Sequence, residues 1–223
     1  MDDLIQKQKL FWDTVAINAN TISKTSFPSQ IFNRLIKKSA RILQYGCGRG
    51  ITLFQLFEMG YKNIYGIDHS EKMIEQAQKI NPHLSVNLAV CKSLDVPFLK
   101  NYFDVVILNS LLTCLVKNEQ QHHLLRKIET VLKPDGVLFI CDYFITPEEY
   151  DVKRYKKYRQ NHPDEPFGIF ESSDGILFRH HDPVWIIELT RNFEQIEFNE
   201  IKCATMHNRT VHGFYYIGLN QKK

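Results

Sequence analysis

Apolar positions along the chain follow two rhythms. At helical spacing they recur through residues 3 to 20, where Phe11 and Trp12 lie, and again in IFNRLIKKS, ITLFQLFEMG, EKMIEQAQKI and NEQQHHLLRKIETVL. Between these stand short segments that read as strands: RILQY, NIYGI, HLSVNLAV, FDVVILN and VLFICDY. The apolar run of FDVVILN is typical of a strand covered on both faces. The punctuation agrees with the pattern. SFPSQ breaks the first helix, Gly60 is a C-cap, Ser70 is an N-cap, Asn81-Pro82 ends a helix, and KPDG turns into the fifth strand. Strands alternating with helices predict an α/β fold with a doubly wound, mostly parallel sheet, its core running over residues 39–143.

Past that core the rhythm changes. EEYDVKRYKKYRQ predicts a basic helix, NHPDEPFG a loop, and GIFESSDGILFRHH a hairpin turning at Asp174-Gly175. Asp182-Pro183 opens another helix as N-cap and first helical residue. Two last strands, around 195–204 and 211–219, joined by a short turn over His207 to Thr210, predict an antiparallel pair at the sheet edge. The expected organisation is one domain in four parts. Residues 1–38 form an N-terminal helical cap, 39–143 the core, 144–182 a lid or substrate insertion, and 183–223 the final helix and strand pair.

Composition narrows the class only a little. The 223 residues are 43% hydrophobic and 24% charged, with a formal charge of +3, too mild a balance to argue for nucleic acid. No signal-peptide region or membrane span is readable, and the five cysteines form no CxxC pair, which predicts free thiols and a cytoplasmic protein. The paired histidines lack zinc-ligand spacing, so no metal is expected.

The sharpest chemistry lies in ILQYGCGRG, residues 42 to 50. Three glycines at alternate positions between a strand and a helix bare the backbone where helix N-terminal amides meet a ligand. A dinucleotide site wants G-x-G-x-x-G and a phosphate loop wants G-K-[ST]; Gly46, Gly48 and Gly50 match neither. The turn therefore suits a ligand with an adenosine but no phosphates.

At these residues the chain resembles the class I S-adenosylmethionine-dependent methyltransferases. ILQYGCGRG is similar to their first motif, YGIDHS to their second, and VLKPDGVLFI to the turn before their fifth strand. The resemblance implies a Rossmann-like seven-stranded sheet with an antiparallel last pair, and S-adenosylmethionine as cofactor with S-adenosylhomocysteine as product. It also implies that Asp68 accepts hydrogen bonds from the ribose hydroxyls. The expected cofactor contacts are Trp12, Tyr45, Gly46, Cys47, Gly48, Asp68, His69, Met73, Lys92, Ser93 and Asn109. Two positions depart from the family pattern: Gln44 replaces a frequent acidic residue, and Lys92 stands where an Asp often accepts the adenine amine. Adenine recognition then falls to backbone groups or to Ser93.

Methyl transfer from a sulfonium is an in-line displacement driven by orientation and desolvation, so it needs no fixed catalytic constellation. A general base helps a protonated nucleophile, and histidine is the natural one. His180 and His181, in FRHHD at the end of the hairpin, are the expected catalytic pair; His207 and His212 flank the last turn. The expected activity is methyl transfer to a small-molecule acceptor beneath residues 144–182. The alternatives are an RNA or protein methyltransferase docking through basic helix 148–160, and a cofactor-binding regulator without catalysis.

Overall fold

The computed structural model describes residues 2–18, 27–92, 94–205 and 209–221. Helix α1 (Asp2–Asn18) and α2 (Ser29–Leu35) precede β1 (Ile42–Tyr45), α3 (Ile51–Glu58), β2 (Ile64–Asp68), α4 (Glu71–Ile80) and β3 (Leu88–Val90). Then come β4 (Phe103–Asn109), α5 (Asn118–Val131), β5 (Leu132–Tyr143) and α6 (Glu149–Asn161). The hairpin β6 (Ile169–Glu171) and β7 (Leu177–Arg179), α7 (Pro183–Leu189), β8 (Phe193–Ala204) and β9 (Thr210–Asn220) complete the chain. The end of the predicted first helix, residues 19–20, and the first half of the predicted last turn, residues 207–208, lie outside the described residues.

Seven strands form one sheet in the order β3-β2-β1-β4-β5-β9-β8. Strands β1 to β5 are parallel. β9 is antiparallel to both β5 and β8, so within the last pair it is β9 that runs against the rest. The order reverses between β1 and β4, and the crevice at that switch point is where an open α/β sheet binds its ligand.

The continuous apolar run of β4 is explained by its two covered faces. Val106 and Leu108 pack with Leu124 and Ile128 of α5 and Ile186 of α7. Val105 and Ile107 pack with Phe32 of α2, Leu53 and Leu56 of α3, and Ile74 of α4. Burying each such side chain contributes about 1.5–3 kcal/mol, so β4 is the spine of a three-layer core.

The local signals act as read. Ser70 Oγ accepts from the Met73 amide at 3.0 Å, Asp182 Oδ1 accepts from the Val184 amide at 2.8 Å, and Gly60 has φ +91° just past α3. Gly175 turns the β6–β7 hairpin with φ +75°. The predicted third strand is shorter than expected. Residues Pro82–Asn87 wind into a 3₁₀ segment, leaving Leu88–Val90 to pair with β2. Pro82 offers no amide to a ladder, and the Asn87 side-chain amide donates to Ile64 O at 3.0 Å, a contact that closes β2 with a side chain instead of a strand. Among the described residues no helix is long and apolar enough to cross a membrane.

Candidate active site

Three strand ends build the floor of the site. After β1 the chain turns through Gly46, Gly48 and Gly50, all at positive φ, a region that disfavours any residue with a Cβ. At Gly46 a Cβ would also stand 2.7 Å from Leu111 Cδ1. Asp68 ends β2, and its two carboxylate oxygens accept backbone N–H groups from both sides: Oδ2 from Gly48 at 2.8 Å and Oδ1 from Ser70 at 2.9 Å. Burial raises the Asp68 carboxyl, and those two amides with neighbouring His69 pull it back only in part. Asn109 and Ser110 end β4, where the Asn109 side-chain amide donates to Thr52 Oγ1 at 3.2 Å.

Above this floor lies a cleft of about 1170 Å³. Its near end is lined by Gly46, Gly48, Asp68, His69, Met73 and Asn109, with Trp12 of α1 on the opposite side. Its far end runs beneath segment 144–182 and is lined by Tyr143, Tyr150, Asp151, Arg154, Phe170 and His180, together with Arg209. A small cavity of about 40 Å³ shares His69, Leu111 and Cys114 with the cleft and adds Tyr45, Leu94 and Gln120.

Helix α1 spans the cleft. Asp13 Oδ1 accepts from Ser70 Oγ at 2.6 Å and from the Lys72 amide at 3.2 Å, which places a carboxylate at the positive end of α4. Burial works against that charge, and bonds from Ser70, Lys9 and the Lys72 amide outweigh it, so the Asp13 carboxyl lies below its ordinary value. On the other side Gln8 Nε2 donates to Leu177 O of β7 at 2.7 Å, and Trp12 meets Phe178 edge-on with ring centroids 6.4 Å apart.

Most of the expected cofactor set converges on one place: Trp12, Gly46, Cys47, Gly48, Asp68, His69, Met73 and Asn109 all line the cleft. Tyr45 faces the small cavity instead. Lys92 is a correction. It is exposed and lines neither cavity, because a charged side chain at a strand end goes to water when no counter-charge meets it. Ser93 lies outside the described residues.

The expected catalytic pair divides. His180 lines the far end of the cleft, its Nδ1 2.6 Å from the buried Tyr155 hydroxyl. Burial, reinforced by Arg154 and Arg209 against the opposing Asp151, lowers its pKa to about 4, so the ring is neutral at pH 7. His181 is fully buried and does not reach the cleft. Its Nε2 accepts from the Gln121 amide at 2.9 Å and its Nδ1–H faces Tyr143 O at 3.3 Å, a tautomer assigned from these partners. In an extended segment neighbouring side chains point to opposite sides, so the two rings cannot share the cleft.

Sequence reading missed the arginine cluster at the far end. Asp151 is fully buried, with Oδ1 on Arg154 and Oδ2 2.7 Å from Arg209. The signal available was an acid within a basic helix three residues before an arginine; the partner from β8–β9 had none.

Comparison with known proteins shows what this geometry resembles. Residues 43–140 match a family model described as a methyltransferase domain. The chain is 28% identical over 126 residues to "EEF1A lysine methyltransferase 2" of Danio rerio, covering 51% of this chain and 52% of that protein. It spans between 16% and 52% of the length of the first curated relatives it matches. A solved S-adenosylmethionine-dependent methyltransferase from Methanosarcina mazei superposes with TM-score 0.78 at 21% identity, over 88% of this chain and 98% of that one. The 1,6-didemethyltoxoflavin-N1-methyltransferase of Burkholderia thailandensis, solved with S-adenosylhomocysteine, superposes with TM-score 0.65 at 16% identity, over 99% and 85%.

The residues fit that cofactor. Gly48 leaves open space where a Cβ would project, with nothing within 4 Å. The His69 Nε2 is buried without a partner beside the cleft, an atom for which a bound polar group is the natural complement. Each Asp68 oxygen, having accepted one amide, keeps a lone pair for a ribose hydroxyl. Residues 43–140 thus match a methyltransferase-domain model, and the chain has the fold of solved S-adenosylmethionine-dependent methyltransferases.

Proposed function

We propose that the chain methylates a small-molecule acceptor held at the far end of the cleft, beneath segment 144–182. The observation that carries this reading is the continuity of the cleft. One space of about 1170 Å³ runs from Gly48 and Asp68 to His180, Tyr143 and Phe170, the size of a small-ligand site with room for cofactor and acceptor together.

Bound S-adenosylmethionine supplies an electrophilic methyl on a sulfonium, and the chain's residues position and deprotonate the acceptor. Asp68 and the glycine turn hold the adenosine and methionine portions. Helix α1, fastened at Asp13 and Gln8, closes the near end and excludes water, which favours displacement from a charged sulfur. His180, neutral at pH 7, accepts a proton from the acceptor or orients it, with Tyr155 fixing the ring. His181 takes no part in this scheme; it fastens the segment to Tyr143 and Gln121.

Relatives are named as methyltransferases of elongation factor lysine, ribosomal protein L11 and tRNA cytidine, and α6 presents exposed Lys153, Lys156 and Lys157. The deciding experiment measures S-adenosylhomocysteine release from S-adenosylmethionine with a metabolite panel, with transfer RNA, and with a protein extract. Turnover confined to metabolites is expected; turnover confined to RNA or protein overturns the small-molecule reading.

A further inference from the structure

The far end of the cleft is built around two guanidinium groups. Arg154 lies against two rings: its Cζ is 4.0 Å from the ring centroid of Phe170 and 4.6 Å from that of Tyr150. The Tyr150 ring is also 4.8 Å from Arg209 Cζ. A ring against its face leaves a guanidinium its in-plane N–H donors. Asp151 takes one edge of that plane through the terminal nitrogen. The Arg154 Nε, on the edge that it shares with that nitrogen, is buried and finds no acceptor. An unsatisfied donor of a charged group is costly to bury, so the guanidinium gains from an anionic oxygen placed beside it.

The carboxylate already present does not cancel this demand. Both Asp151 oxygens are engaged by arginines, and Arg209 also reaches Glu148, 3.3 Å away and half exposed. Asp151 thereby orients two cations that each carry five donors, and what the cluster offers the cleft is N–H groups. Tyr143 and Phe170 supply ring surface beside them in the same lining.

Resting on the small-molecule reading, we propose that the acceptor is an aromatic or heteroaromatic acid whose carboxylate is received by Arg154, with Arg209, at the lid end of the cleft. Planar bidentate recognition of a carboxylate is the geometry an arginine edge provides and a lysine does not. The acid anchors one end of the acceptor, and the nucleophile at its other end lies toward His180 and the sulfonium.

The test uses the full chain saturated with S-adenosylhomocysteine and calorimetric titration of paired probes. The probes are the hydroxybenzoates, aminobenzoates and indole carboxylates, each against its neutral carboxamide, with benzylamine as a cationic control. At least one acid is expected to bind tenfold or more tightly than its amide. In R154Q that preference disappears while S-adenosylhomocysteine affinity stays within twofold, and R154K, which keeps the charge without the fork, restores it only in part. Equal binding of acids and amides throughout the panel, preference for benzylamine, or an acid preference untouched in R154Q overturns the proposal. The acid-to-amide comparison is made on the unaltered protein, so it stands even where a variant folds poorly. If S-adenosylhomocysteine itself fails to bind, the methyltransferase reading has failed. If metabolites are methylated without regard to charge, the acceptor proposal alone has failed.

Discussion

The backbone N–H of Gly48 donates to Oδ2 of Asp68 at 2.8 Å. That bond joins the turn after β1 to the carboxylate at the end of β2, so the two motif residues act as one preformed edge of the cleft. The remaining Asp68 oxygen is oriented by the Ser70 amide, and the carboxylate meets a ligand with its geometry already set.

Asp68→Ala is expected to weaken S-adenosylhomocysteine binding by about 1.5–3 kcal/mol, the scale of hydrogen bonds to a charged group. Titration calorimetry reads the loss directly. Unchanged affinity in a folded variant would move the ribose contact to another residue. NAD, which matches no phosphate-binding spacing here, is expected to leave the melting temperature unchanged while S-adenosylhomocysteine raises it.

Gly46→Ala meets both a φ of +71° and Leu111 Cδ1 at 2.7 Å. Strain of that kind costs on the order of 1–3 kcal/mol, and since Leu111 stands at both cavities the damage extends to ligand binding. A lower urea midpoint together with weaker S-adenosylhomocysteine binding is the expected pair of results; a fully stable variant would show that Leu111 yields without cost.

Asp13→Ala removes acceptors for Ser70 Oγ and the Lys72 amide. Helix α1 is expected to open more readily, with faster amide exchange along residues 4–16 and faster S-adenosylhomocysteine release, for a loss of about 1–2 kcal/mol at the α4 terminus. Exchange rates equal to those of the unaltered chain would show that Gln8 on Leu177 O and Trp12 against Phe178 hold the helix without Asp13.

His180→Gln is expected to lower turnover at least about tenfold, roughly 1.4 kcal/mol of transition-state stabilisation, with little change in cofactor affinity. Tyr155→Phe keeps the ring packed and removes the hydroxyl at 2.6 Å, so a smaller loss is expected. Normal turnover in His180→Gln would exclude the ring from proton transfer.

Acid titration provides a separate check on His180. Burial first, then Arg154 and Arg209, lower its pKa from 6.5 to about 4. A depressed folded value means that its contribution is present above pH 6.5 and is lost as pH falls toward 4, by at most roughly 3 kcal/mol. Buried Asp142, raised by burial to about 7 despite amides from Tyr143 and Thr113, acts in the opposite sense; its contribution is lost as pH rises from about 4 through 7. His180→Gln is therefore expected to lose less stability than the unaltered chain between pH 6.5 and 4, measured by urea midpoints. Parallel curves would mean that the ring is not held neutral in the folded state.

The order and type of the elements were legible in the chain because they rest on local causes. Apolar runs marked β1, β2, β4 and β5, Ser70 and Asp182 capped their helices, Gly60 and Gly175 turned the backbone, and the glycine spacing with Asp68 identified the ligand end of the sheet. The third strand was overestimated because Pro82 and Asn87 redirect backbone hydrogen bonding in a way that hydrophobic pattern does not record. Which polar side chains meet in the cleft was decided by tertiary structure alone. His180 faces the cleft while His181 bonds to Gln121, 60 residues away, and Asp151 finds Arg209, 58 residues further along. Caps, turns and periodicity act over a few residues, whereas such pairings depend on where distant elements pack. The sequence by itself determined the fold and the cofactor end of the cleft; the chamber proposed for the acceptor exists only once α6, the β6–β7 hairpin and the start of β9 have closed around it.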